Sequence, residues 1–280
     1  MRIISLGLGV QSTALYYMSS LGELPRCDYA IFSDPGKEKK ETMEYLKFIL
    51  HWQKENNGIP IIVIDDKNLF NDLLNKTNST KNRFASIPAF TVDESGKAGM
   101  LRRQCTNEYK IAQVDRVIKQ IYGLRKHARF PKTDIWVGIT QDEISRMTIP
   151  LQQKWKNLIY PFCGYQVDYT GKAIRFEDSK FVMRRSDLLQ WYKSNELPLP
   201  VKSSCIFCPF QSDADWIELK NNHPKDFEDA KRIDHAIRDS SKRGSRQPIY
   251  LHRSCRPLAQ VLFDETQGNL WGDCGPYCRT

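Results

Sequence analysis

Arg2-Ile3-Ile4-Ser5-Leu6-Gly7-Leu8-Gly9-Val10-Gln11-Ser12-Thr13 opens the chain with an apolar run, a glycine-bearing turn and the first residues of a helical pattern. A short apolar run stopped by Gly reads as a buried strand, and apolar positions spaced by three and four read as a helix. The alternation repeats outward from this stretch. Strands are expected over residues 2–8, 28–34, 60–65 and 134–140, and helices over 11–21, 38–56 and 107–122. In the last helix Ile111, Val114, Val117, Ile118 and Ile121 form one apolar stripe. Strand–helix alternation of this kind predicts an α/β fold, a parallel sheet with helices on both faces.

The polar stretch 76–100 has no periodicity and is expected to be a functional loop or disordered. Beyond it, Asp168-Tyr169-Thr170-Gly171-Lys172 reads as a hairpin turn, and residues 185–195, 212–222 and 224–240 as three helices. The end from residue 248 reads as irregular. A composition shift near residue 150 divides the chain into a core at 1–150 and a C-terminal accessory region at 151–280.

Composition excludes several classes. Hydrophobic residues make up 40% and charged residues 27%, enough apolar material for a core and too much for a disordered chain. No apolar run approaches the ~18–20 residues that cross a bilayer, and the first residues lack a signal peptide's apolar core and cleavage site. A cytoplasmic protein without a membrane partner is expected. Eight cysteines could form four disulfides, but such frameworks belong to short secreted chains.

The turn between the first strand and helix lets backbone N–H groups approach an anion, and the helix N-terminus adds about half a positive charge. Ser12 and Thr13 can cap the helix or donate hydroxyls to phosphate. The alternative is a tight turn with a Ser-capped helix and no ligand. Neither the three-glycine dinucleotide fingerprint nor a Walker loop with its Lys is present.

Gly7-Leu8-Gly9-Val10-Gln11-Ser12 resembles the S-G-G-x-D-S pyrophosphate loop (PP-loop) of the adenine nucleotide α-hydrolase superfamily, and most closely its phosphoadenosine phosphosulfate reductase-like branch. Gly7 stands for the Ser, Leu8 for the first Gly and Gln11 for the Asp, a carboxylate that would assist metal-dependent attack at the α-phosphate. The likeness continues along most of the chain. Phe32-Ser33-Asp34-Pro35-Gly36 with Glu41-Thr42 is similar to the D-T-G…E-T element. Arg103-Gln104-Cys105-Thr106-Asn107-Glu108-Tyr109-Lys110-Ile111 is similar to C-T-x-x-x-K-I. Gly138-Ile139-Thr140-Gln141-Asp142-Glu143-Ile144-Ser145-Arg146 is similar to G-I-x-x-D-E-x-x-R.

The resemblance implies that ATP or another adenine nucleotide, with Mg where a metal assists, binds over Ser5, Gly7, Gly9, Gln11, Ser12 and Thr13. Ser33, Asp34 and Gly36 would line base and ribose, with Gly138 and Asp142 nearby and Lys110 and Arg146 facing anionic groups. Apart from the likeness, Asp34 reads equally as the N-cap of the following helix, and the two cations as solvated surface charges.

Ser203-Ser204-Cys205-Ile206-Phe207-Cys208-Pro209 carries two thiols that one metal centre could take from a single turn. A redox dithiol or two buried thiols are the alternatives. Zinc would need further ligands from Cys105, Cys255, Cys274 and Cys278. The resemblance instead implies a 4Fe–4S cluster on Cys105, Cys205 and Cys208, with Cys274 or Cys278 as fourth ligand. It also implies a possible nucleophile in the tail, Cys278, because assimilatory reductases end in E-C-G-x-H and this chain in Gly272-Asp273-Cys274-Gly275-Pro276-Tyr277-Cys278. Cys27 and Cys163 are expected in the core.

The net charge is 42 − 33 = +9 and it is clustered at 125–129, 184–185, 242–246 and 253–256. Aromatic residues such as Trp155, Tyr165 and Tyr250 are interleaved with Lys and Arg. Such a surface suits tRNA or DNA, the phosphates of a nucleotide alone, or plain solvation. Together with this charge, the resemblance implies two activities. One is adenylation and thiolation of a nucleic-acid or nucleotide acceptor. The other is reduction of phosphoadenosine or adenosine phosphosulfate with a thioredoxin-like reductant. A non-catalytic nucleotide sensor is the third reading.

Overall fold

A computed structural model describes residues 1–81, 84, 87–125, 128–150, 153–176, 181–239 and 247–264. The main sheet has seven strands. Its parallel part is β3 (Ile61–Ile64), β2 (Tyr29–Ser33), β1 (Arg2–Ser5), β6 (Thr133–Trp136) and β7 (Lys156–Tyr160), in that order. β8 (Tyr165–Val167) and β9 (Ala173–Arg175) extend it antiparallel. Their connection is the turn expected at 168–172, with the Asp168 carboxylate accepting the Thr170 and Lys172 N–H groups. The sheet therefore continues well past residue 150.

Side-chain alternation makes this a three-layer structure. Ile4, Ala30, Phe32, Trp136 and Ile159 point to the face covered by α1 (Val10–Leu21), α2 (Lys40–Glu55) and α5 (Arg185–Ser194). Ile3, Ile31 and Ile135 point to the other face, where α4 (Ala112–Ile121) lays down Val114, Val117 and Ile118. The stripe expected over 107–122 is one element with two geometries, since Asn107–Ile111 is a π-helical turn before α4.

A second apolar cluster joins α3 (Leu69–Leu74), α6 (Asp213–Asn222) and α7 (Pro224–Arg238) to Tyr109, Ile206 and Phe207. Beside it lies a small sheet of β4 (Phe90–Val92), β5 (Ala98–Met100) and β10 (Ile249–Tyr250). This corrects two expectations, since 76–100 holds a hairpin and the region from 248 holds a strand. Three-residue strands are too short to show a period. The Asp93 carboxylate, accepting from Ser95 and Lys97 N–H, builds the turn between β4 and β5. No described helix is long and apolar enough to cross a membrane.

Candidate functional site

The sheet reverses its direction of growth between β1 and β6. From β1 the chain winds outward through β2 and β3, and from β6 outward through β7. In open α/β sheets the crevice at the carboxyl ends of such a strand pair is where ligands bind. Here its walls are the β1–α1 loop and the segment 137–146 after β6.

The β1–α1 loop is held open by its own backbone. Leu6 N–H donates to the Ile31 carbonyl, after which Leu8 turns into the left-handed region (φ 56°) with its side chain buried. Gly9 is the N-cap of α1, with no side-chain cap. The expected capping by Ser12 or Thr13 does not occur, because both lie inside the helix. The Ser12 hydroxyl instead accepts Gly7 N–H (3.1 Å) and donates to the Gly9 carbonyl (3.2 Å), bracing the turn. Thr13 is fully buried against Tyr192, whose hydroxyl donates to the Val10 carbonyl at 2.9 Å. The N–H groups of Leu8, Gly9, Val10, Gln11 and Ser12 meet no acceptor among the described residues, which leaves open donors along the turn and the first turn of α1 beside the crevice. Ser5 sits at the end of β1, half-buried.

Gly138 holds the opposite wall against this turn. A Cβ there would lie 2.5 Å from Ser12 N and 2.7 Å from Gln11 C, both backbone atoms, so only glycine allows the two loops to touch. The next turn, Gln141–Arg146, is fixed through Glu143. One carboxylate oxygen accepts from Gln11 Nε2 (2.9 Å) and the other from Arg146 Nη1 (2.6 Å). Asp142 accepts Arg185 N–H, tying the start of α5 to the same wall. Gln11 thus donates to a carboxylate where an Asp would repel it.

The end of β2 forms the neighbouring wall. Ser33 donates to the Tyr109 carbonyl and Asp34 accepts Gly36 N–H at 2.7 Å. Asp34 does not cap α2, whose N-cap is Lys39. Burial raises the Asp34 carboxyl above its usual range, the Gly36 N–H opposing it. Gly36 itself needs φ +83°.

Immediately after β2 lies the thiol region. Glu38 and Cys205 form an antiparallel bridge, flanked by Lys39 N–H to Ser204 and Ile206 N–H to Lys37. The Glu38 carboxylate is fully buried, accepting from Lys110 Nζ at 2.9 Å and from the Ser203 hydroxyl at 3.3 Å. Cys208 N–H donates to the Cys205 carbonyl, closing the tight turn. Burial raises the Cys205 thiol well above its usual range. Glu38 raises it further, Lys110 opposes it, and Cys208 and Cys105 add to the rise; Cys105 and Cys205 pack against the same apolar cluster. Burial lowers the Lys110 ammonium, but Glu38 and the neighbouring thiols outweigh it, so Lys110 is raised overall.

Cys105, Cys205 and Cys208 thus share one region, at the carboxyl end of the sheet as the phosphate-type turn is. They do not all lie within 4.8 Å of one another among the described residues. Two thiolates on a single zinc stand about 3.8 Å apart, as follows from Zn–S of about 2.3 Å in a tetrahedron. Cys274 and Cys278 lie outside the described residues.

Cys27 and Cys163 are buried as expected, and burial pushes both thiols up to about 12. Cys255 donates to the Thr91 carbonyl beside β4. Sequence reasoning missed Glu38, Tyr192 and a cluster of Glu41, Glu218 and His223, which no spacing along the chain brings together. Comparison with protein-family models and with curated proteins finds no match to this chain.

Proposed function

We propose that the chain is a cytoplasmic PP-loop enzyme of the adenine nucleotide α-hydrolase type. It binds ATP in the crevice between β1 and β6 and activates a nucleic-acid or nucleotide acceptor for thiolation. The observation that carries this reading is the run of unpaired N–H donors at the switch point, with the thiol region at the same end of the sheet. The donors Leu8–Ser12 suit the β- and γ-phosphates, and the walls at Asp34 and Gly138 flank the nucleoside. Mg, where it takes part, would draw on Asp142 and Glu143, since position 11 offers an amide.

An acceptor oxygen attacks the α-phosphorus, the bond to the bridging oxygen of the β-phosphate breaks, and pyrophosphate leaves. A sulfur nucleophile supplied at the sulfide level then displaces AMP from the activated carbon. The N–H array stabilises the charge that builds on the departing pyrophosphate. Cys105, Cys205 and Cys208 would hold a 4Fe–4S cluster with a fourth cysteine from the tail, and that cluster supplies redox or sulfur-binding chemistry when present. The clustered positive charge of the sequence, of which 242–246 lies outside the described residues, supports a polyanionic acceptor such as tRNA or DNA.

Pyrophosphate release from ATP that depends on added tRNA or DNA is the expected result. Absence of ATP binding by calorimetry overturns the reading. Sulfite release from phosphoadenosine phosphosulfate with thioredoxin replaces it with the reductase reading, in which Cys278 is the nucleophile. Anaerobic purification is expected to give a brown protein with about four iron and four labile sulfide per chain. A colourless protein holding one zinc removes the cluster.

A further inference from the structure

We infer that Glu41, Glu218 and His223 form a divalent transition-metal site that clips α2 to the joint between α6 and α7. Glu41 lies in the first turn of α2, Glu218 in the last half of α6, and His223 is the residue between α6 and α7. One ligand atom from each lies within 4.8 Å of the other two. His223 Nε2 stands 2.6 Å from a Glu41 oxygen and 3.5 Å from a Glu218 oxygen. Ligand nitrogen and oxygen atoms on a tetrahedral zinc are about 3.3 Å apart, from bond lengths of about 2.0–2.2 Å. The Glu218 distance already matches this. The Glu41 distance needs to open by less than 1 Å, which its partly exposed side chain permits.

Charge supports the assignment independently of the spacing. Two carboxylates converge on one imidazole nitrogen, His223 Nε2. The nearest ammonium, Lys39 Nζ, is engaged by Asp215 at 3.2 Å and reaches Glu218 only at 4.0 Å. Lys202 is likewise spent on Asp215, at 3.0 Å. Lys39 and Lys202 thus both serve Asp215, and a cation bound by all three ligands would sit between the Glu41 and Glu218 carboxylates. One imidazole and two carboxylates favour zinc or another first-row divalent ion over Mg or Ca. The partial exposure leaves a coordination position to water, as in sites with three protein ligands.

This assignment stands apart from nucleotide binding and from the cysteine centre, and its test separates them. The full chain is dialysed against zinc, and bound metal is counted in the unaltered protein and in His223→Gln, Glu218→Gln and Cys205→Ser variants. One equivalent of zinc is expected to disappear in His223→Gln and to bind at least tenfold more weakly in Glu218→Gln. It is retained in Cys205→Ser. Zinc also raises Tm in the unaltered chain and not in His223→Gln. Cobalt at this site gives weak visible bands without the sulfur charge-transfer absorption of a thiolate site. Equal zinc counts in the unaltered, His223→Gln and Glu218→Gln proteins overturn the site, as does loss of the equivalent only in Cys205→Ser. Glu218 is half-exposed, so its variant remains a valid test if His223→Gln does not fold.

Discussion

Replacing Gly138 with Ala adds one methyl group at the contact between the two walls of the crevice. The backbone φ of Gly138 lies outside the left-handed region, so Ala meets no conformational obstacle there. The obstacle is contact. The new Cβ would stand 2.5 Å from Ser12 N and 2.7 Å from both Gln11 C and Ser12 Cα, where ordinary contact begins at 3.4 Å. One wall must retreat by roughly 0.9 Å, and every facing atom is backbone in a close-packed region. Overpacking of this kind costs about 1–3 kcal/mol. For a chain of this size each kcal/mol lowers Tm by roughly 2–4 °C. The same displacement moves the N–H donors of Gln11 and Ser12 and, on the function proposed above, weakens ATP binding. Thermal unfolding and ATP calorimetry read the two effects. Gly9→Ala is the stability control, since its Cβ would meet nothing within 4 Å. A Gly138→Ala protein that melts and binds ATP like the unaltered chain refutes the packing argument, and so does a Gly9→Ala protein that loses more stability.

Three further perturbations test the local reasoning. Gln11→Asp replaces the donor to Glu143 with a second carboxylate and is expected to cost about 1–3 kcal/mol, read by denaturant unfolding. An unchanged midpoint removes Glu143 as the anchor of that wall. Leu8→Gly relieves the left-handed backbone while Leu8→Ala keeps it, so Gly should be the more stable of the two by about 1 kcal/mol although both lose the buried side chain. The reverse order contradicts the strained turn. Asp215 is mostly buried, which raises its carboxyl, but Lys39 and Lys202 dominate and hold it at about 2. A depressed folded pKa gives stability that is present above the unfolded value near 4 and lost as pH falls toward 2, about 2 kcal/mol in all. Asp215→Asn should lose that amount at pH 7 and flatten the acid limb of a stability–pH profile; an unchanged limb assigns acid sensitivity elsewhere.

Much of the fold was legible because strands that are buried on both faces leave continuous apolar runs. Ile3-Ile4 and Ile135-Trp136 each serve two helical layers, so both residues of each pair must be apolar. The helix at 185–194 and the turn at 168–172 were legible for similar local reasons, a spacing and a turn chemistry. β4, β5 and β10 were not, since two- and three-residue strands gain their pairing from partners distant in the chain. Helix capping was misread at Ser12 and Asp34, because a hydroxyl or carboxylate can satisfy several nearby N–H groups and only coordinates choose among them.

By itself the sequence determined the α/β class, the position of the glycine turn and the Cys205/Cys208 pair, to which only the family resemblance added Cys105. Those are consequences of residue order, periodicity and spacing, which act over a few residues at a time. Tertiary structure alone decided that the sheet reverses between β1 and β6 and that Gly138 rests on the Ser12 backbone. It alone decided that Glu143 meets Gln11 across 132 positions and that Glu38 lies buried among Lys110, Ser203 and Cys205. The physical reason is that these contacts follow from how layers pack and in which order strands pair. A buried carboxylate's partners are then whatever donors the packing delivers.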